Sequence, residues 1–141
     1  MDTTLLVNRL KARLVGLREI ESAAGLDAAM RGNRVAPAVY VIALSERGTP
    51  IEDTGPLTQV ATGVFGVIQV VNTLDPLGAP GVLDLAALRA QVKAALIGWV
   101  PDTETGEPVV FLGGELVQFV GDGQLWWSDE FQLISYFRST P

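Results

Sequence analysis

The segment from Asp84 to Pro101 limits the possible folds more than any other part of the chain, because it predicts one amphipathic helix with a defined start and stop. Asp84 is placed to cap the first turn, and its charge suits the positive end of the helix dipole. Gly98 loosens the last turn and Pro101 cannot continue a helix. The apolar residues recur at the three-and-four spacing of one helical stripe, and they are Leu85, Leu88, Val92, Leu96 and Trp99. Such a stripe must pack on another layer.

The first half of the chain supplies further elements. Residues 1–16 predict an amphipathic helix with a second leucine stripe. We interpret its basic residues as a solvated helix face, and the alternative is a surface for an acidic partner. Residues 26–31 predict a short helix. Residues 37–44 read as a buried strand that is rich in β-branched side chains. Residues 45–57 contain two glycines and two prolines, and we predict a long loop that is mobile in the free subunit and becomes ordered against a neighbour or another component of an assembly. Thr58–Asn72 then predicts a long strand.

The strand Thr58–Asn72 is apolar on both of its faces. We assign one face to helix packing, and it carries Val60, Val64, Ile68 and Val70. The other face carries Phe65, Val67 and Val71, and few helices remain to cover it. We therefore expect these three residues to contact a neighbouring subunit. The alternative is that the N-terminal helix covers them, which would make Phe65 an ordinary core residue.

The last third of the chain predicts a β-hairpin. Residues 115–120 and 124–137 flank the turn Gly121-Asp122-Gly123, in which Gly123 suits the left-handed position. The alternation of side chains pairs Val117 with Trp127 across the two strands. A break in the alternation at residues 128–130 predicts a bulge there.

Two adjacent tryptophans in this hairpin point to opposite faces. Trp126 and Trp127 could stack on a base or a sugar, but one core tryptophan and one interface tryptophan is the simpler interpretation. We place Trp126 with Phe65, Val67 and Val71 in the expected subunit contact. Taken together, the elements predict a single α+β domain over residues 1–141, with a mostly antiparallel sheet and helices packed on one face.

The composition excludes several classes of function. The 141 residues include no Cys and no His, which removes thiolate nucleophiles, the usual zinc sites and the commonest general base. A formal net charge of −6 disfavours nucleic-acid binding by phosphate neutralisation. There is no apolar run of about 18 residues and no signal-peptide pattern. We expect a protein made in the cytoplasm with no membrane partner.

The remaining candidates for chemistry are weak. The acidic loop with Asp102, Glu104 and Glu107 matches no calcium-binding spacing, so we expect no metal site. Asp129 and Glu130 are adjacent, so in a strand they point apart and cannot act as a carboxylate pair. The two lysines, Lys11 and Lys93, fall at positions that we interpret as exposed helix faces, and Gly113-Gly114 lacks a phosphate-loop context. We expect no enzyme activity and no cofactor.

Hydrophobic residues make up 48% of the chain and charged residues 18%. A soluble domain usually has about 25% charged residues. The apolar surplus predicts that other chains cover part of the surface, and therefore a homo-oligomer.

Residues 95–137 resemble the C-terminal half of bacteriophage tail terminator proteins. In that family a helix ends in AL-x-GW-x-P and is followed by a G-G-x-L strand, a D-G turn, a tryptophan and a final F-x-L strand. The matching residues are Ala95, Leu96, Gly98, Trp99, Pro101, Gly113, Gly114, Leu116, Asp122, Gly123, Trp126 or Trp127, Phe131 and Leu133. The N-terminal half is also similar, with a leucine-rich helix, Arg34, and Pro37-Ala38 opening the first strand.

This resemblance implies a mechanical role in the virion. Tail terminators form a ring, typically a hexamer, that caps the finished tail tube, stops its polymerisation and gives a head-completion or neck protein a docking surface. It implies a position at the head-proximal end of the tail, assembly in the host cytoplasm, and DNA passing through the ring without specific binding. The loop of residues 45–57 would then become ordered against a neighbouring subunit or the tail tube. The alternatives are another neck, tail-tube or connector component, a small-molecule-binding module that uses Trp126 and the acidic loop, and a hydrolase with an unrecognised carboxylate site.

Overall fold

A computed structural model describes residues 1–32, 35–50, 58–72, 84–120 and 123–138. The elements run, in chain order, α1 (Thr3–Arg13), β1 (Glu19–Glu21), α2 (Ala23–Met30), β2 (Ala38–Pro50), β3 (Thr58–Asn72), α3 (Leu85–Leu96), β4 (Val110–Val120) and β5 (Gln124–Arg138). The described strands form one sheet in the order β1-β2-β3-β5-β4. Three of its pairings are antiparallel and the β1–β2 pairing is parallel. The fold is α+β with a mixed sheet.

Capping by aspartates starts the two longer helices. The Asp2 carboxylate accepts the Thr4 N–H at 2.9 Å, and the Asp84 carboxylate accepts the Ala87 N–H at 2.7 Å. The predicted cap of α3 is therefore confirmed, although the helix ends at Leu96, several residues before Pro101. Gly98 has a φ of +82°, which turns the chain so that its N–H donates to the Val109 carbonyl.

The two faces of the sheet have separate apolar clusters. Face 1, the side that carries Phe65 and Val67, is covered by α1 and α3 and holds the larger cluster. Face 2, the side that carries Ile68 and Val70, is covered by α2 at the end of β2 that contains Tyr40. The expectation that all helices pack on one face is therefore wrong for α2, because its Leu26 and Ala29 join the face 2 cluster.

Strand β2 is longer than predicted. Residues 45–50, which we expected to lie in a loop, pair with residues 59–64 of β3 after a bulge at Leu44. Their polar sequence is compatible with a strand, because residues 45–49 are exposed and the pairing with β3 satisfies their backbone groups. The rest of that predicted loop, residues 51–57, lies outside the described residues.

The hairpin of β4 and β5 forms with two differences from the prediction. Val120 pairs with Gln124, but a bulge places Leu116, not Val117, opposite Trp127. The break in alternation at residues 128–130 is not a bulge in β5, since β5 pairs with β3 without interruption. Asp129 breaks the apolar pattern because it is a buried polar residue.

In the turn between the two strands, Gly123 has the predicted positive φ. Two residues of the family resemblance, Asp122 and Arg34, lie outside the described residues.

Candidate interaction surface

The face of β3 that we assigned to a subunit contact lies inside the folded subunit. Phe65 and Val67 have no exposed surface and Val71 is 1% exposed. They pack against α1 and α3 in the face 1 cluster, and the Phe65 ring stacks on that of Phe131 at 5.5 Å. A side chain that is already fully buried has no surface to bury against a neighbour. The structure therefore corrects this assignment and favours the alternative, in which helices cover Phe65.

Trp126 is also a core residue. It is 5% exposed and packs with Tyr40, Ile68 and Val70 on face 2. Tyr40 is itself buried and donates to the Glu19 carboxylate at 2.9 Å. Burial and this hydrogen bond raise the pKa of the Tyr40 hydroxyl. Trp126 thus belongs to the second core, which corrects its assignment to the subunit contact.

A buried carboxylate joins α3 to the sheet. Asp129 has no exposed surface, and its two oxygens accept from Arg89 Nη2 at 2.9 Å and Arg89 Nε at 3.0 Å. Trp127 Nε1 donates to Asp129 at 3.0 Å and Gln69 Nε2 donates at 2.6 Å. The Arg89 guanidinium also lies over the Trp127 ring, 4.6 Å from its centroid. We call these four residues the polar cluster.

The electrostatics of the polar cluster indicate a structural role. Burial alone would raise the pKa of Asp129, but hydrogen bonds from Arg89, Trp127 and Gln69 outweigh it and hold the pKa below its ordinary value.

Glu130 lies on face 2, since it pairs with Gly66 and Gly113. The prediction that these adjacent carboxylates point apart is therefore confirmed.

The sequence pattern placed Lys93 on an exposed helix face, but the structure places both Lys93 and Arg89 against the sheet. Arg89 reaches the buried Asp129, and Lys93 Nζ lies 4.3 Å from the centroid of the Phe111 ring. Both side chains lie over face 1, so the interpretation of an exposed helix face is wrong for this turn of α3. The only sequence signal for the cluster was the carboxylate that interrupts the apolar alternation of β5.

Among the described elements, β4 carries more exposed large apolar residues than any other. β4 borders β5 on one side and no strand on the other among the described residues. Four of its apolar side chains are close to half exposed: Val110 at 46%, Leu112 at 47%, Leu116 at 53% and Val117 at 49%. Such an edge offers unpaired backbone groups together with apolar surface. We call Val110–Val120 the β4 edge.

The acidic loop and the tryptophan do not form one site. The loop borders an open depression of about 520 Å³ that is lined by Asp102, Glu104, Thr105 and Tyr136. Trp126 lies near the other end of β5, roughly 33 Å from Tyr136 at about 3.3 Å per residue. Within the described residues, no group of three or more acidic side chains is close enough to hold a metal ion. The structure thus removes the geometric basis for a ligand site made of Trp126 and this loop.

The sequence comparison decides the family. A family model described as "Phage tail terminator protein" matches residues 1–141, the whole chain. The chain belongs to the phage tail terminator family. A comparison with curated proteins finds no match. In the part of this chain that the structure describes, no helix has both the length and the apolar character needed to cross a membrane.

Membership of the tail terminator family makes the chain a structural component of the phage virion tail. The family is one of structural proteins, and its role implies contact with other tail and head proteins. A contact with another chain, whether a different protein or a second copy of this one, needs an exposed surface, and the β4 edge is the strongest candidate among the described residues.

The geometry explains the residues that carry the family resemblance. Ala95 and Leu96 are buried in the face 1 cluster, and Gly98 takes the positive φ that ends α3. Trp99 packs against that cluster and lies 4.9 Å beneath the Arg9 guanidinium, which also donates to the Ala95 carbonyl at 2.9 Å. The signature therefore fixes α1 to the end of α3. Arg9 is an exception to the solvated face that we predicted for α1.

The position of Gly114 in the Gly113-Gly114 pair has no room for a side chain. A Cβ atom there would collide with Asp129 Oδ1 and lie 2.7 Å from Trp127 Nε1. We expect Gly114→Ala to lower the free energy of unfolding by about 1–3 kcal/mol, because the polar cluster must shift to admit the methyl group. Thermal and urea unfolding followed by circular dichroism measure the change.

Gly113→Ala is the matched control. A Cβ atom at Gly113 would meet no described atom within 4 Å, and the residue has an ordinary strand backbone. We expect this variant to be neutral or slightly stabilising, since alanine restricts the unfolded chain. Equal losses of stability in the two variants would contradict the steric account.

Proposed function

We propose that the chain caps the completed tail tube as a closed homo-oligomeric ring of about six copies. The observation that carries this proposal is the β4 edge, which presents an open strand and four half-exposed apolar side chains. The edge adds no stability to a single subunit in water. Its unpaired backbone groups can pair with any other exposed strand, so a specific partner is needed to prevent uncontrolled association. The apolar surplus of the composition supports the same conclusion.

In this proposal the ring stops polymerisation of the tube protein and, where present, the sheath protein. Its other surface docks a head-completion or neck protein, so the ring lies at the head-proximal end of the tail and is assembled in the host cytoplasm. The formal net charge of −6 favours free passage of DNA through the ring, because like charges avoid the phosphate attraction that would hold it.

The oligomer is tested by sedimentation and negative-stain imaging of the purified chain, alone and with tube protein. We expect rings for the natural sequence, and mainly monomers for Leu116→Lys, because a charge replaces apolar surface that the ring would bury. Val15→Lys is the control, since Val15 is 72% exposed and lies outside the strand. Both variants should melt like the parent. Monomers of the parent at every concentration, with and without tube protein, would contradict the ring.

The capping role is tested by adding the chain to polymerising tube protein. A cap should stop growth and leave its ring at one end of each tube. A connector or tube component would instead leave growth unchanged or be incorporated along the tube. The length distribution and the end views of the tubes distinguish these outcomes.

A further inference from the structure

The sheet has a second open edge besides the β4 edge. β1 pairs only with residues 38–40 of β2, so residues 41–50 have no strand on their outer side among the residues that the structure describes. We call this stretch the β2 edge. It has ten residues, close to the eleven of the β4 edge. The two edges lie on opposite sides of the sheet, and each is long enough to pair with the other.

We infer that, in the ring proposed above, the β4 edge of one subunit pairs antiparallel with the β2 edge of the next, so that the sheet continues from subunit to subunit. This inference rests on the proposed function, since a closed ring of about six equivalent copies joins each copy to its two neighbours through two different, complementary surfaces. A contact between two β4 edges would join two subunits and leave both β2 edges open.

The strand directions agree with this pairing. Because β2–β3, β3–β5 and β5–β4 are all antiparallel, β4 runs opposite to β2. A sheet that continues around a ring forms the wall of a cylinder, and rotation about its axis preserves the up or down sense of each strand. β4 therefore meets the next β2 antiparallel, which is the more stable pairing and continues the alternation of the sheet.

The charges of the two edges are complementary. Glu115 is the only charged residue of the β4 edge. On the β2 edge, Glu46 pairs with the N-terminal amine of its own subunit at 3.4 Å, which leaves Arg47 as the available charge. Arg47 and Glu115 are both exposed, and neither has an ion-pair partner among the described residues.

The faces of the two edges also agree. Arg47 pairs with Thr62 of β3, and Glu115 pairs with Ser128 of β5. Both therefore lie on face 2 of the sheet, as an ion pair across a continuous sheet requires. Leu44, which is 45% exposed, adds apolar surface on the β2 edge for the apolar side chains of β4.

Cysteine cross-linking tests the pairing directly, because the natural chain contains no cysteine. We compare Arg47→Cys, Glu115→Cys and the double variant, each treated with a short bis-maleimide that tolerates an offset of a residue or two. The double variant should give a ladder of covalent species up to the full ring. Each single variant should remain monomeric on a denaturing gel.

Charge reversal gives a second, independent test at low ionic strength, where exposed charges act most strongly. Arg47→Glu and Glu115→Arg should each lose rings when alone. Their equimolar mixture should regain them, since every interface of an alternating ring again pairs opposite charges. Alternation closes only with an even number of copies, as in a hexamer. The double reversal should also form rings by itself.

The outcomes separate this inference from the proposed function. Efficient cross-linking of Glu115→Cys alone would show a β4–β4 contact and overturn the inference. Rings of the double cysteine variant without a ladder, or rings of both reversed variants alone, would overturn it and leave the ring intact. A failure of the natural chain to form rings, with or without tube protein, would overturn both.

Discussion

Phe65→Asp is expected to abolish folding of the subunit. Phe65 has no exposed surface and stacks on Phe131 beneath α1 and α3. Loss of a buried Phe side chain alone costs about 3–5 kcal/mol, and an unpaired carboxylate in the same place adds several more. The sum approaches the whole stability of a typical domain, about 5–15 kcal/mol. Circular dichroism and thermal melting should show an unfolded or insoluble chain.

Phe137→Asp is the matched control for this prediction. It makes the same change in β5, at a side chain that is 63% exposed, so the fold and the melting temperature should change little. If Phe65→Asp instead kept its circular dichroism and its cooperative melting and lost only the rings, then Phe65 would belong to a subunit contact and its place in the core would be wrong.

Arg89→Met is expected to destabilise the subunit by about 3 kcal/mol, the lower end of the range for breaking a buried ion pair. The variant leaves the Asp129 carboxylate, which has no exposed surface, without its cation. The lower end applies because the Arg89 side chain itself is 27% exposed. The melting temperature should fall by roughly 6–12 °C, at about 2–4 °C per kcal/mol.

Asp129→Asn in the Arg89→Met background is the control for the polar cluster. It replaces the unpaired carboxylate with a neutral amide, so the double variant should recover part of the lost stability.

The pH dependence of the free energy of unfolding gives a second readout. Because the folded pKa of Asp129 lies below its ordinary value, its stabilising contribution is complete above the unfolded pKa and is lost as the pH falls through the folded pKa. Asp129→Asn should flatten this acid limb. If the stability losses of Arg89→Met and Asp129→Asn were additive, and if Asp129→Asn left the acid side of the stability–pH curve unchanged, the structural role of the Arg89–Asp129 pair would be contradicted.

The local elements of the fold followed from residue spacing. The stripe of α3, its Asp84 cap and the bounds of β3 depend on periods of 3.6 and 2 and on one side chain reaching its own backbone, and these are properties of neighbouring residues. The left-handed Gly123 and the pairing of Val120 with Gln124 are equally local. The family resemblance rested on such turns and core aromatics, and it is confirmed over the whole chain.

The extent of β2 was not predictable from its own residues. Residues 45–50 have a loop-like composition, yet they form a strand because β3 supplies a partner for their backbone groups. Strand formation at such positions depends on a partner strand, and the local propensity of a segment does not include that partner.

The sequence by itself determined which surfaces of each element are apolar, where α3 begins, and that the chain has no Cys or His side chain. Only the tertiary structure decided what covers each surface. An apolar face of β3 carries the same residues whether a helix or a neighbouring subunit buries it, and here α1 and α3 cover Phe65. Likewise Arg89 and Asp129 are forty positions apart, so their contact depends on how α3 crosses the sheet. Burial is a property of the assembled layers, and that is why the exposed apolar surface was found on β4 and not on β3.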